Sequence, residues 1–264
     1  MNFKSFALTV YTLWERELVR FYRQPSRVVG ALGTPLIFWL LIGSGFGTSF
    51  RTGSAAENQN YLVYFFPGTI LLILLFTTIF STFSLIQDRQ EGFLQSVLVA
   101  PVPRSAIVMG KILGGTTLAF VQSFLFLLVA PWIGIPLHAG AWGMAAVIIF
   151  LNAFALTTLG FIMAWRVNSV QGFHAVMNLF LMPMWFLSGA LFPPEGAPVW
   201  VQAIMAANPL TYGLAALRRV LHGPAAELNG PSLAVSLAVT GLFALVLFGC
   251  AAWQAGERKA AVVV

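Results

Sequence analysis

The side chains in this sequence that could do chemistry are few, and their spacing defeats most of what they could do. Ser188-Gly189 and His174 supply the residue types of an intramembrane serine protease. They lie 14 residues apart on one apolar run, about 21 Å along a helix, so they cannot form a hydrogen-bonded dyad. A lone His174 near a helix end reads as a satisfied polar residue. Gly110-Lys111-Ile112 resembles the end of a phosphate-binding loop, yet Ile112 stands where a Ser or Thr is required and Ser105 where the first glycine belongs. No His, Cys, Asp and Glu grouping has metal-ligand spacing. Cys250 is the only cysteine, which excludes an intrachain disulfide, and it is expected as a buried, inert thiol. None of the eight acids falls in the middle of an apolar run, which argues against a proton- or sodium-coupled carrier.

One polar segment is different in kind. Gln87 to Lys111 reads QDRQEGFLQSVLVAPVPRSAIVMGK between two long apolar runs. Asp88, Arg89, Gln90 and Glu91 are expected to open a short helix, with acids at its N-terminus. Phe93, Leu94, Val97 and Leu98 give it an apolar side, and Pro101 and Pro103 end it. Such a helix is either an amphipathic connector resting on a bilayer or a grip through which an outside protein moves the chain.

The elements that position this segment follow from composition. The chain is 59% hydrophobic and 8% charged, with a mean hydropathy of +0.86, which no soluble domain of this length matches. In hydrocarbon every backbone amide must be satisfied internally, and the long unbroken runs select helices over a barrel. Charge is absent from 28–50, 58–87, 112–165, 167–194 and 228–256. With about 20 residues needed per crossing, four of these hold one span each. The run 112–165 is long enough for two and is broken by Pro131-Trp-Ile-Gly-Ile-Pro136 and Gly140. Six spans result, near 28–49, 61–86, 106–131, 141–165, 170–192 and 232–254. With both termini in the cytoplasm, 11 of the 14 basic residues lie inside, and Arg51, Arg218 and Arg219 outside. The basic residues flank apolar runs, so the net charge of +6 points to anionic lipid rather than nucleic acid. No cleavable signal is apparent.

Two further elements do not span. In residues 1–27, Phe3, Phe6, Val10, Leu13, Trp14, Leu18 and Phe21 share one helical face, and Lys4, Glu15, Arg16, Arg20 and Arg23 lie elsewhere. Glu17 is the exception. This predicts an amphipathic helix along the cytoplasmic surface, with Trp14 and Tyr22 at the interface. Residues 196–217 are also free of charge, but Asn208-Pro209 divides them into two helical pieces of roughly 9 to 12 residues, each too short to cross. They are expected as a re-entrant or interfacial hairpin within 193–231, with Arg218 and Arg219 reaching lipid phosphates. Gly43-x-x-x-Gly47 and Gly110-x-x-x-Gly114 suit close helix packing, within the chain or between copies.

Three stretches carry a family resemblance. EGFLQSVLVAPVPRSAIVMGKIL, from Glu91 to Leu113, is similar to the cytoplasmic segment of the ABC type-2 exporter permeases. FLSGALFPPEGAPVW, from Phe186 to Trp200, and NPLTYGLAALRR, from Asn208 to Arg219, follow in the family's order. Gln95 departs from the pattern, since relatives often carry a second acid soon after the glycine.

The resemblance implies an all-α polytopic protein with one transmembrane domain over 1–264, in a bacterial plasma membrane. It further implies a dimer with itself or a similar permease. Each copy would insert its coupling segment, 87–105, into a separate P-loop ATPase that holds ATP and Mg, while this chain holds no cofactor and catalyses nothing. Glu91, Gly92, Phe93, Leu94 and Arg104 would then be the coupling contacts. The helix bearing Trp14, Arg20 and Arg23 would brace the ATPase, and Asn208, Pro209, Tyr212, Arg218 and Arg219 would close the outer side. The expected cargo is an amphipathic drug, lipid or glycan, moved outward between copies. Phe76, Thr77, Phe80 and Phe83 on the second span are candidate pathway residues. A self-sufficient secondary carrier or channel is the alternative, and it predicts transport without a partner.

Overall fold

A computed structural model describes residues 3–46, 61–223 and 230–256, and every regular element in them is helical. In chain order the helices are α1 (Phe3–Tyr22), α2 (Pro25–Phe46), α3 (Tyr61–Gln90), α4 (Phe93–Val99), α5 (Arg104–Leu127), α6 (Ala139–Ala164), α7 (Val170–Trp185), α8 (Val199–Ala207), α9 (Pro209–His222) and α10 (Leu233–Gly256). Six stretches are long and apolar enough to cross a membrane: α2, α3, α5 extended to Ile133, α6, α7 extended to Ala190, and α10. Their bounds fall within about four residues of the six expected spans. The largest early start is that of α2, which takes Pro25 as its first residue, where the missing N–H costs nothing. The turn between α5 and α6 comes where the prolines and glycines fall: a short tight helix over Ala130–Ile133, then Gly134 at φ 87°. Gly47, Arg51, Arg258 and Lys259 lie outside the described residues.

α3 is the axis of the bundle, packed against α2, α5, α6 and α7. Its 18-residue apolar window is 94% buried, against 22% for α2 and 17% for α10. Small and hydroxylated residues allow this approach, as they do where lipid removes the hydrophobic incentive for helices to associate. A Cβ on Gly115 would meet Thr157 at 2.7 Å and Ser81 at 2.9 Å. The Thr77 hydroxyl donates to Gln122 Oε1 at 2.9 Å, and Thr82 and Thr116 return their hydroxyls to carbonyls one turn back. Toward the start of α3, Trp39, Phe66 and Phe126 stack edge and face around one another. Thr77 and Phe83 are buried in this interior, while Phe76 and Phe80 are partly exposed.

The predicted apolar face of α1 meets another helix. It packs lengthwise on α5, where a Cβ on Gly110 would meet Leu13 Cβ at 2.9 Å and one on Gly114 would meet Glu17 Cβ at 2.6 Å. The Trp14 indole donates to Thr117 at 3.0 Å, and Phe21 and Leu118 share a small cluster. The Gly110-x-x-x-Gly114 pair is therefore occupied within the chain. The expectation of a buried Cys250 is corrected, since it faces outward from the bundle.

Candidate functional site

α3 runs four residues beyond its expected end, to Gln90, and this changes the meaning of Asp88. Rather than opening the short helix, Asp88 sits in the last turn of α3 and points inward, fully buried. Its position, three, four and seven residues after Leu85, Ser84 and Ser81, puts it on the buried face of the helix. Arg16 donates from both terminal nitrogens, Nη2 to Oδ1 at 2.6 Å and Nη1 to Oδ2 at 2.9 Å, the fork geometry that makes guanidinium–carboxylate pairs strong. Arg20 Nη1 donates to the same Oδ1 at 2.5 Å, and Lys111 Nζ to Oδ2. Lys111 also donates to Glu17 Oε1 at 2.5 Å. One carboxylate thus joins α1, α3 and α5.

Three cations against Asp88 and Glu17 leave one positive charge, and the neighbouring acid cancels it. Glu91, with its side chain 58% exposed, accepts from Arg20 at 3.0 Å. Arg20 and Arg27 both reach Gln87 Oε1, at 3.1 and 2.7 Å. Burial alone would lower the pKa of Arg16, but its hydrogen bond to Asp88 and the nearby charges of Asp88, Glu17 and Glu91 outweigh that, so the pKa is raised. The guanidinium stays charged at any pH the protein meets. Its Cζ also lies over the Phe93 ring, 3.7 Å from the centroid.

The short helix hangs from this cluster. Gly92 at φ 75° makes the sharp turn out of α3, a conformation that disfavours any residue with a Cβ. α4 follows, with Leu94 buried, Phe93 under Arg16 and Val99 83% exposed. Ala100 leaves helical geometry before Pro101, as the proline requires. Arg104 donates to the carbonyls of Ala255 at 3.0 Å and Gly256 at 3.4 Å, where a cation suits the end of α10. Arg89 and Gln90 tie the end of α3 to the α6–α7 turn through Trp165 O, Val167 O and Asn168. Arg16, Arg20, Arg23 and Glu91 line an open groove of about 640 Å³ along α1. Among the described residues no group of His, Cys, Asp and Glu could hold a metal.

At the opposite end the chain breaks where Asn208-Pro209 falls, giving α8 of 9 residues and α9 of 14. Asn208 caps α9 by accepting from Leu210 N at 3.1 Å and donates to Met184 O at 2.6 Å. α7 ends in a widened turn over Phe186–Ala190 that frees several carbonyls. Arg218 Nη2 and the Tyr64 hydroxyl both donate to Gly189 O, at 2.6 and 3.1 Å, and the Arg218 guanidinium lies 4.2 Å from the Tyr64 ring. Tyr61 donates to Leu191 O, and Tyr212 to Ala206 O. Arg218 is buried and turned inward instead of reaching lipid phosphate, while Arg219 bonds Gly230 O and Pro231 O.

Sequence reasoning named Glu91, Phe93, Leu94, Arg20 and Trp14 but missed Asp88, Glu17 and Lys111 as a unit. A signal existed. Glu17 was the one acid on the apolar face of α1 and Lys111 the one lysine inside a span, so each was misplaced unless the other answered it.

Comparison with known proteins agrees with this architecture. Residues 9–222 match the family model described as ABC-2 type transporter. The chain is 30% identical to ycf38 of Cyanophora paradoxa over 215 residues, covering 81% of this chain and 74% of the relative. It is 26% identical to the daunorubicin resistance ABC transporter permease protein DrrB1 of Streptomyces coeruleorubidus over 239 residues, 89% and 83% of the two chains. It is also 26% identical to nodulation protein J of Sinorhizobium fredii over 245 residues, 90% and 86%.

Proposed function

The chain belongs to the ABC-2 type transporter family as a membrane permease, and we propose that it is moved by a separate ATP-binding subunit gripping α4 from the cytoplasm. The observation that carries this reading is the site itself. A short helix stands out from the bundle on a glycine turn, and its entry is bolted through Glu91, Arg20 and Asp88 to three of the helices behind it. A passive connector has no need of a fully buried carboxylate shared by three cations, which is costly to desolvate. Glu91, Gly92, Phe93 and Val99, together with the groove along α1, form the contact surface for the partner. Trp14 and Arg20 set the position of α1 in that surface, with Arg23 at its edge.

In this scheme both termini are cytoplasmic, and α8 and α9 form a re-entrant hairpin on the outer side. ATP and Mg belong to the partner. A second copy of this chain, or a similar permease, packs on the apolar faces that α2, α7 and α10 expose, such as Leu41, Leu179 and Leu245. An amphipathic drug, lipid or glycan then passes outward between the copies, a reading supported by the relative named for daunorubicin resistance. Ion coupling is disfavoured because Asp88, a fully buried carboxylate, already has three cationic partners.

Co-purification tests the reading. The tagged chain should bring down the ATP-binding subunit, and Glu91→Arg or Phe93→Ala should weaken the complex while leaving the permease folded. An equally stable complex in both variants would remove α4 from the contact.

A further inference from the structure

We propose that Asp88 is the positioning residue through which movement of α4 reaches the membrane helices, and that α1, rather than the 100–103 connection, carries that movement into α5. The inference rests on the reading that a partner grips α4. Besides α3 itself, which α4 follows directly and which packs on α5, two routes lead from α4 to α5. The direct one is Ala100-Pro101-Val102-Pro103, which outside α5's own first turn contributes one backbone hydrogen bond among those described, Val102 N to Ala100 O at 2.7 Å. It delivers load at a single point, the first turn of α5.

The second route runs through side chains and is broader at every step. Phe93 lies under Arg16 and Glu91 holds Arg20, so α4 and its entry turn are fastened to α1 at two successive turns of that helix. The same two arginines close on Asp88, which fixes α1 to the end of α3. α1 in turn lies on α5 from Gly110 to Leu118, with Glu17 bonded to Lys111 and Trp14 to Thr117. That contact extends along about 12 Å of α5. Close-packed interfaces move as bodies and resist bending, so a displacement imposed at Glu91 and Phe93 reaches α5 along its side. Asp88 is the point where bonds from all three helices meet, and no neutral side chain can hold three cations at once.

The test needs no knowledge of the cargo. In a Cys250→Ser background, a spin label at position 132, where Trp132 is 86% exposed at the other end of the bundle, reports the response of the reconstituted complex to ATP with vanadate. The double variant Asp88→Asn/Lys111→Met removes one charge of each sign and keeps the cluster balanced. It should still bind the partner and permit ATP hydrolysis, but lose the nucleotide-dependent change at position 132. The exchange Glu17→Lys/Lys111→Glu sets a second carboxylate against Asp88 but keeps α1 bonded to both α3 and α5, so it should retain the response. A full response in the Asp88 variant overturns the proposal, and so does loss of response in a folded exchange variant, which also decides the matter if the first variant fails to fold. Absence of any complex with the wild-type chain would overturn the reading beneath it, and the inference with it.

Discussion

The two ends of the helical bundle each bury a cation, and they do so by opposite means. At the α4 end, Arg16, Arg20 and Lys111 converge on the Asp88 carboxylate, and the bonds join three separate helices. At the other end, Arg218 is held by a backbone carbonyl of Gly189 and the face of Tyr64, and the bonds secure one widened turn at the end of α7. A shared carboxylate gives strong, charge-dependent attachment among bodies that can move. A carbonyl and a ring give a shaped seat for a local break in a helix, where freed carbonyls need donors. The difference teaches that the first end ties separate helices to one charge, as the proposed passing of load between helices would need, and that the second holds a shape.

The contrast can be broken most easily at Asp88. Asp88→Ala leaves the three cations with Glu17 as the only buried acid among the described residues, and should cost about 3–5 kcal/mol, read as a fall in thermal unfolding temperature in detergent. Adding Lys111→Met should recover part of that loss, and failure to do so would mean that the cluster is not governed by charge balance. Gly114→Val comes next. Its Cβ would fall 2.6 Å from Glu17 Cβ, so α1 must shift from α5 at a cost of about 1–3 kcal/mol, seen as altered Trp14 fluorescence and faster proteolysis near the N-terminus. At the other end, Arg218→Met removes one of the two donors to the Gly189 carbonyl and should cost about 1–3 kcal/mol. A double-mutant cycle with Tyr64→Leu should give a coupling energy well below that between Asp88 and Arg16. Smallest is Glu91→Gln, where an exposed pair contributes about 0–1 kcal/mol to stability, so the unfolding temperature should hardly move while binding of the partner weakens.

Much of this could be read from the chain, for physical reasons. Hydrocarbon imposes one rule, apolar length with internal hydrogen bonding, so the charge-free runs marked all six long helices. Asn208-Pro209 and Pro131–Pro136 marked breaks because proline removes a donor and restricts its neighbour. Pro101 likewise marked the end of α4. Side-chain partnership was less legible. Asp88 was grouped with Arg89, Gln90 and Glu91 as the polar start of a short helix, since nothing in the local pattern says that α3 continues for another turn. Its partners lie 72 and 23 residues away, at Arg16 and Lys111, and pairing at that distance is a property of packing. Arg218 misled for the same reason. An arginine beside an apolar hairpin suggests lipid phosphate, but the widened turn at Gly189 that draws it inward has no clear mark in sequence beyond the glycine itself.

Which end of the bundle the ATP-binding subunit touches can be measured directly. A photo-crosslinking residue placed at Val99, 83% exposed on α4, or at Trp132, 86% exposed at the other end, can be activated in membranes containing both subunits. The expected result is an adduct with the ATP-binding subunit from position 99 and none from position 132. An adduct from position 132 alone, or from neither position, would contradict the claim that α4 is the grip through which this permease is driven.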